Sequence, residues 1–211
     1  MRTKRMDVLS DAFFEARKSD IEKRVNEHRF KHVCGVAQTA QELARCYGVD
    51  ERKARLAGIL HDWDKNYDDF EIRERAQQLG MDVDPFVSKC LARVLHAHTA
   101  ACALKREFPE LPDDVLQAID RHTIAATDMT PLDFVVYCAD ALEPNRQYDK
   151  IEEIRAKIGT VDLEELFFCV YEYWVLMMIE KRLVIHPSTI DVWNTYAARW
   201  REREGILEWK K

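Results

Sequence analysis

His61 and Asp62 close the apolar run LAGIL (56–60), on a segment whose composition demands burial. An ionised carboxylate taken out of water costs several kcal/mol unless a cation or good hydrogen bonds compensate it. An imidazole beside that carboxylate therefore points to a bound group. Four further residues share the placement. His32 lies four before Val36, on an apolar face that continues to Ala40 and Leu43. His96 follows Ala92 by four, and His122 follows Ala118 by four and Ile119 by three. Asp140 follows Val136 by four and Tyr137 by three, as His61 follows Ala57 and Asp62 follows Ile59.

Residues three or four apart share a helix face, so each candidate points to the core side of its helix. One inward histidine is ordinarily a satisfied core residue. Four histidines and two aspartates converging from several helices are metal-site chemistry, and the mixed donors suit iron, manganese, zinc or nickel.

The elements that must position them read as helices throughout. Only 6 Gly and 6 Pro punctuate the chain, apolar residues recur at three- and four-residue steps, and strand alternation is absent. Helices are predicted over 8–26, over 31–47 with a stop at Gly48, and from a cap at Asp50 to residue 63. Further helices are predicted over 69–79, 85–95, 99–108, 113–123, 131–142, 163–182 and 188–207. Pro112, Pro131 and Pro187 sit near starts, where proline is tolerated. No internal repeat, low-complexity linker or domain boundary stands out.

The 211 residues, 47% hydrophobic and 33% charged, describe an ordinary globular chain with room for one sizeable core. A net charge of −6 argues against a general nucleic-acid surface, while leaving room for a locally cationic site. The longest apolar stretch, FFCVYEYWVLMMI (167–179), is broken by Glu172, so no membrane span is expected. The first residues lack a continuous apolar segment and a cleavage site, so the expected compartment is the cytoplasm. Six scattered cysteines without a CxxC pair read as reduced, mostly packed thiols and not as a zinc site. The stripe Phe167, Phe168, Tyr171, Trp174, Val175 and Met178 reads as core, or as packing in a homodimer. His28 and His186 lack inward apolar context and are not expected to be ligands.

The order H…HD…H…H…D resembles the HD-domain metallohydrolases. RFKHVCGVAQTAQELARCYGVDERKARLAGILHDWDK resembles the opening of the YqeK-type symmetrical diadenosine tetraphosphate hydrolases. So do VLHAHTAACALKREF, AIDRHT, VVYCADALEPNR and KRLVIHPSTIDVWN, and the likeness spans residues 28–197. It implies an all-α HD-domain helical bundle, with residues 1–27 as a helical extension and 198–211 as a helical tail. It also implies His32, His61, Asp62, His96, His122 and Asp140 as ligands of two divalent metal ions. Iron is the first expectation, with manganese or another transition metal as alternatives. Asp62 would bridge the two metals, with His32, His61 and Asp140 on one and His96 and His122 on the other.

Two such ions can share a water and lower its pKa toward neutrality, which supplies a hydroxide nucleophile. The implied reaction is cleavage of diadenosine tetraphosphate into two ADP, with Asp62 and Lys65 as catalytic residues. Lys65 and Arg146 can meet phosphate as cations. Thr123 can offer a hydroxyl beside His122, and His98 can stand in the pocket wall. Glu143 and Asn145 can orient Arg146, and Asp64 can sit behind the ligands or in solvent. Alternatives are a nucleoside mono- or triphosphate substrate, or a silent nucleotide-binding regulator. Two departures from the family pattern, HTIAAT without its glycine and Ala97 after His96, are expected to reshape the pocket mouth.

Overall fold

Short polar residues stand before most helices and accept the amides that the first turn leaves free. Ser10 caps α1 (Asp11–Arg24), Asn26 caps α2 (Glu27–Tyr47) and Asp50 caps α3 (Glu51–Leu60). Asp68 caps α4 (Asp69–Gln78) in a capping box with Glu71, and Asp84 caps α5 (Pro85–Cys90). A 3-10 turn, Ala92–Val94, leads into α6 (Leu95–Glu107), and α7 (Asp113–Arg121) follows. Thr130 and Asp133 box the start of α8 (Pro131–Leu142), and α9 (Ile151–Arg155) is a short piece. Asp162 caps α10 (Leu163–Glu180), and α11 (Thr189–Arg203) is the last helix. The structure, a computed structural model, describes residues 7–206, and every regular element among them is helical. No helix among the described residues is long and apolar enough to cross a membrane.

Several boundaries differ from expectation by a few residues, and two of the differences fall at the site. α3 ends at Leu60, so His61 and Asp62 stand in a run of turns and not within the helix. The helix expected over 85–95 breaks at Leu91 (φ −138°, ψ 28°), so His96 lies in the first turn of α6. The five residues of α9 were missed because they are too few to show a periodicity.

α2 lays Val33, Val36, Ala37, Ala40 and Leu43 into the core against α3 and α8. Gly58 lets α3 come close: a Cβ there would lie 2.8 Å from the Cα of Ala37. α8 is buried along almost its whole length, which accounts for its nearly unbroken apolar sequence. Its start is tied to the end of α7, because the fully buried Asp133 accepts from Arg121 at 3.0 Å and from Gln117 at 2.9 Å. His122, next to Arg121, is thereby fixed relative to Asp140 at the far end of α8. α1 buries Phe13 and Ile21 in the same core, with the Phe13 ring edge-on to Phe108. Part of the expected N-terminal extension and part of the tail, residues 1–6 and 207–211, lie outside the described residues. All six cysteines are free. Cys138 is buried, Cys34, Cys102 and Cys169 pack against the core, and Cys46 and Cys90 are exposed.

Gly58→Ala should destabilise the protein. The backbone overlap costs about 1–3 kcal/mol, against a gain in helix propensity of at most about 1 kcal/mol. Denaturant unfolding reads the difference, and an unchanged midpoint would mean that α2 and α3 separate freely.

Candidate metal centre

Carbonyls in the last turn of a helix have no intrahelical donor. Three of the six candidate residues use that fact. His61 Nδ1 donates to Gly58 O at 2.7 Å, His122 Nδ1 to Ile119 O at 2.6 Å, and His96 Nδ1 to Arg93 O at 2.6 Å. His32 lies within α2 and has no free carbonyl nearby; its Nδ1 donates to Glu143 Oε1 at 3.0 Å. Carbonyls and carboxylates only accept, so Nδ1 carries the proton and Nε2 of each neutral ring carries a lone pair.

The four Nε2 atoms converge on Asp62, which is 2% exposed. Its Oδ2 stands 3.4 Å from His61 and 3.8 Å from His32. Its Oδ1 stands 3.2 Å from His96 and 3.8 Å from His122. Each carboxylate oxygen thus serves one pair of rings. Asp140 Oδ1 joins the first pair, 3.1 Å from His32 and 3.9 Å from His61. His32, His61 and Asp140 form one group able to hold a metal ion, and His61, Asp62 and His122 form another.

The donor set fits a divalent transition ion on grounds internal to the fold. His96 and His122 turn their Nε2 atoms toward each other at 3.1 Å, and two lone pairs at that distance repel unless a cation lies by them. The buried Nε2 atoms of His32 and His61 have no aligned hydrogen-bond partner. Nitrogen and carboxylate oxygen together match iron, manganese, zinc or nickel.

The electrostatics agree. Burial works to raise Asp62, but His61 and His96 outweigh it and hold the carboxyl well below its usual range. Asp140 is likewise held low, against burial, by the bond to His32 and by Arg146. Burial, then the neighbouring His61 and His96, push His122 well below the ordinary imidazole value, which keeps its lone pair free.

Supporting residues depart from expectation in two places. Glu143 and Asn145 hold His32, not Arg146: Asn145 donates its backbone N–H and its Nδ2 to Glu143 Oε2 at 2.7 and 2.8 Å. Gly35 makes the room, since a Cβ there would lie 2.5 Å from Glu143 Oε2. Arg146 is held by Asp140 itself, through Oδ1 at 2.6 Å and the backbone carbonyl at 3.0 Å. Asp64 is buried but pairs with Arg75 on α4 at 3.1 Å. Lys65 Nζ lies 3.3 Å from His96 Nε2, and burial lowers its pKa while Asp62 pulls the other way. Arg29 was missed: its Nη1 reaches Asp62 Oδ2 at 2.9 Å. The available signal was its position three before His32, on the same face of α2.

A cavity of about 250 Å³ opens beside the cluster. His122, Thr123, Asp140 and Arg146 form its polar wall, and Tyr137, Tyr171, Trp174 and Met178 much of its apolar one. The aromatic stripe therefore divides: Phe167, Phe168 and Val175 are core, while Tyr171, Trp174 and Met178 also face the cavity. Thr123 Oγ1 is buried and without a partner. His186 lines the same cavity and accepts at Nδ1 from the Ser188 N–H at 3.2 Å, so its Nε2 carries the proton, opposite to the clustered rings. His98 lies outside that wall, bonded to Asp120 at 2.6 Å, and His28 is exposed. Of the two departures from the family pattern, only the first touches the cavity, through Ile124; Ala97 is buried within α6.

Helices that gather four histidines and two aspartates around one buried carboxylate define a class of metal-dependent enzyme fold. The HD-domain family model matches residues 29–145, and the chain belongs to the HD-domain family. It is 34% identical over 178 residues to the symmetrical bis(5'-nucleosyl)-tetraphosphatase of Halalkalibacterium halodurans, covering 82% of this chain and 91% of that protein. The enzyme of the same name from Bacillus subtilis is 31% identical over 179 residues, covering 82% and 92%. The crystal structure of an HD superfamily hydrolase from Clostridium acetobutylicum, described as involved in NAD metabolism, matches with a TM-score of 0.82. It is 28% identical and covers 88% of this chain and 97% of that one. The resemblance to the YqeK-type branch is borne out by these relatives.

Long-range ¹⁵N–¹H spectra of the metal-free protein should show His61, His96 and His122 protonated at Nδ1 and His186 at Nε2. Nε2 protonation of the first three would refute the arrangement described here.

Proposed function

We propose that His32, His61, Asp62, His96, His122 and Asp140 hold two divalent ions, iron first among them, and that the chain cleaves diadenosine tetraphosphate symmetrically into two ADP. The observation that carries the reading is Asp62, whose two oxygens face two different pairs of imidazoles. The names of the relatives that align over most of both chains supply the substrate class.

Bound there, divalent ions polarise phosphoryl oxygens and lower the pKa of water. The residues of the chain do the rest. Asp62 fixes the spacing of the two halves of the cluster. Lys65 and Arg146 flank it and neutralise phosphate charge as it shifts in the transition state. The Thr123 hydroxyl and the Nε2–H of His186 donate to the bound nucleotide, and Tyr171, Trp174 and Met178 cover its base and exclude water. His98 stands behind this wall and is assigned no contact with phosphate. The cytoplasm, which keeps nucleotides and reduced thiols, is the compartment that suits the activity.

With iron or manganese supplied, diadenosine tetraphosphate should give ADP as the sole nucleotide product. AMP plus ATP, or no turnover, would overturn the assignment. Asp62→Asn should abolish turnover and reduce bound metal from near two per chain. Glu143→Gln should weaken metal binding by about 10- to 100-fold with the fold intact, because His32 loses the carboxylate that orients it. Metal titration of the apoprotein followed by circular dichroism checks both halves of that statement.

A further inference from the structure

The cavity beside His122 can cover one nucleoside, whereas the proposed substrate has two. A second recess of about 190 Å³ shares no wall residue with the first. Arg29, Lys65 and Arg93 line it, with Asn66 and a single carboxylate, Asp68. That carboxylate is engaged in capping α4. The inner edge of this recess is the rim of the cluster, since Arg29 bonds Asp62 at 2.9 Å and Lys65 Nζ lies 3.3 Å from His96 Nε2. Arg146, bonded to Asp140, marks the edge of the first cavity. Cationic side chains therefore continue from one opening, past the six clustered residues, into the other.

We propose that the recess of Arg29, Lys65 and Arg93 is a second phosphate subsite, which takes the far half of a dinucleoside polyphosphate. This rests on the function proposed above and extends it. The two openings differ in kind. The first is walled by aromatic rings and methionines and suits a base, whereas among the described residues Val25 is the only apolar one around the second. The second opening holds phosphate and leaves its nucleoside in solvent. Arg93 is the outermost cation. Its carbonyl is fixed by His96 Nδ1 at 2.6 Å, and its guanidinium lies 3.8 Å from Asp69 with both side chains more than half exposed. Such a contact is worth little, so the guanidinium is free to turn to a phosphate.

The test replaces Arg93, an exposed side chain outside the cluster, and compares a substrate that reaches the recess with a mononucleotide that does not. In the metal-loaded protein, Arg93→Gln should raise KM for diadenosine tetraphosphate about five- to tenfold, and Arg93→Glu further, while the inhibition constant of ATP against that reaction stays within about twofold. An unchanged KM for the dinucleotide, or an equal rise in both constants, would overturn the subsite. If the wild-type chain leaves diadenosine tetraphosphate intact, it is the function that fails. Calorimetric binding of the same two nucleotides to wild type and Arg93→Glu then decides the subsite by the same ratio.

Discussion

A carbonyl in the last turn of a helix has no amide to meet, and the imidazole three residues further on takes it at Gly58, Arg93 and Ile119. One bond does two things. It satisfies a buried acceptor at a helix end, and it commits the ring proton to Nδ1. Everything at the centre of the molecule follows from that commitment, because it turns three Nε2 lone pairs inward. The helices need only end at the right points in space, and the tight approach of α3 to α2 at Gly58 sets one of those ends.

Bringing lone pairs and carboxylates together out of water creates an excess of negative potential, and the chain answers it with fixed cations. Arg29 meets Asp62, Arg146 meets Asp140, and Lys65 stands over His96. Asp62 is held ionised by His61 and His96 and Asp140 by His32 and Arg146, against burial, while the three cations leave positive charge at the rim of the cluster. An anionic ligand arriving there meets guanidinium and ammonium groups already in place, without the cost of gathering them.

How much of this was legible in the sequence depends on the kind of signal. The six clustered residues could be found because each lies three or four residues from an apolar neighbour. His96 joins the cluster by a different route from the one its spacing suggests: Ala92 belongs to a 3-10 turn and His96 to the helix after it, since the chain breaks at Leu91. Arg29 escaped notice, and Glu143 was matched to Arg146 in place of His32, because a charged residue that serves a buried partner looks, in sequence, like a charged residue in solvent. That Tyr171, Trp174 and Met178 face a cavity was hidden for a different reason. An apolar stripe carries the same periodicity whether it faces a packed core or a cavity.

The four imidazoles differ in what evolution must protect. A bond to a main-chain carbonyl survives replacement of the side chain that contributes it, so the settings of His61, His96 and His122 are insensitive to drift at positions 58, 93 and 119 except where backbone geometry changes. His32 is the exception. It depends on the carboxylate of Glu143, which in turn fits only because position 35 has no Cβ. Positions 35 and 143 should therefore vary together across relatives, a covariation imposed by one buried carboxylate oxygen.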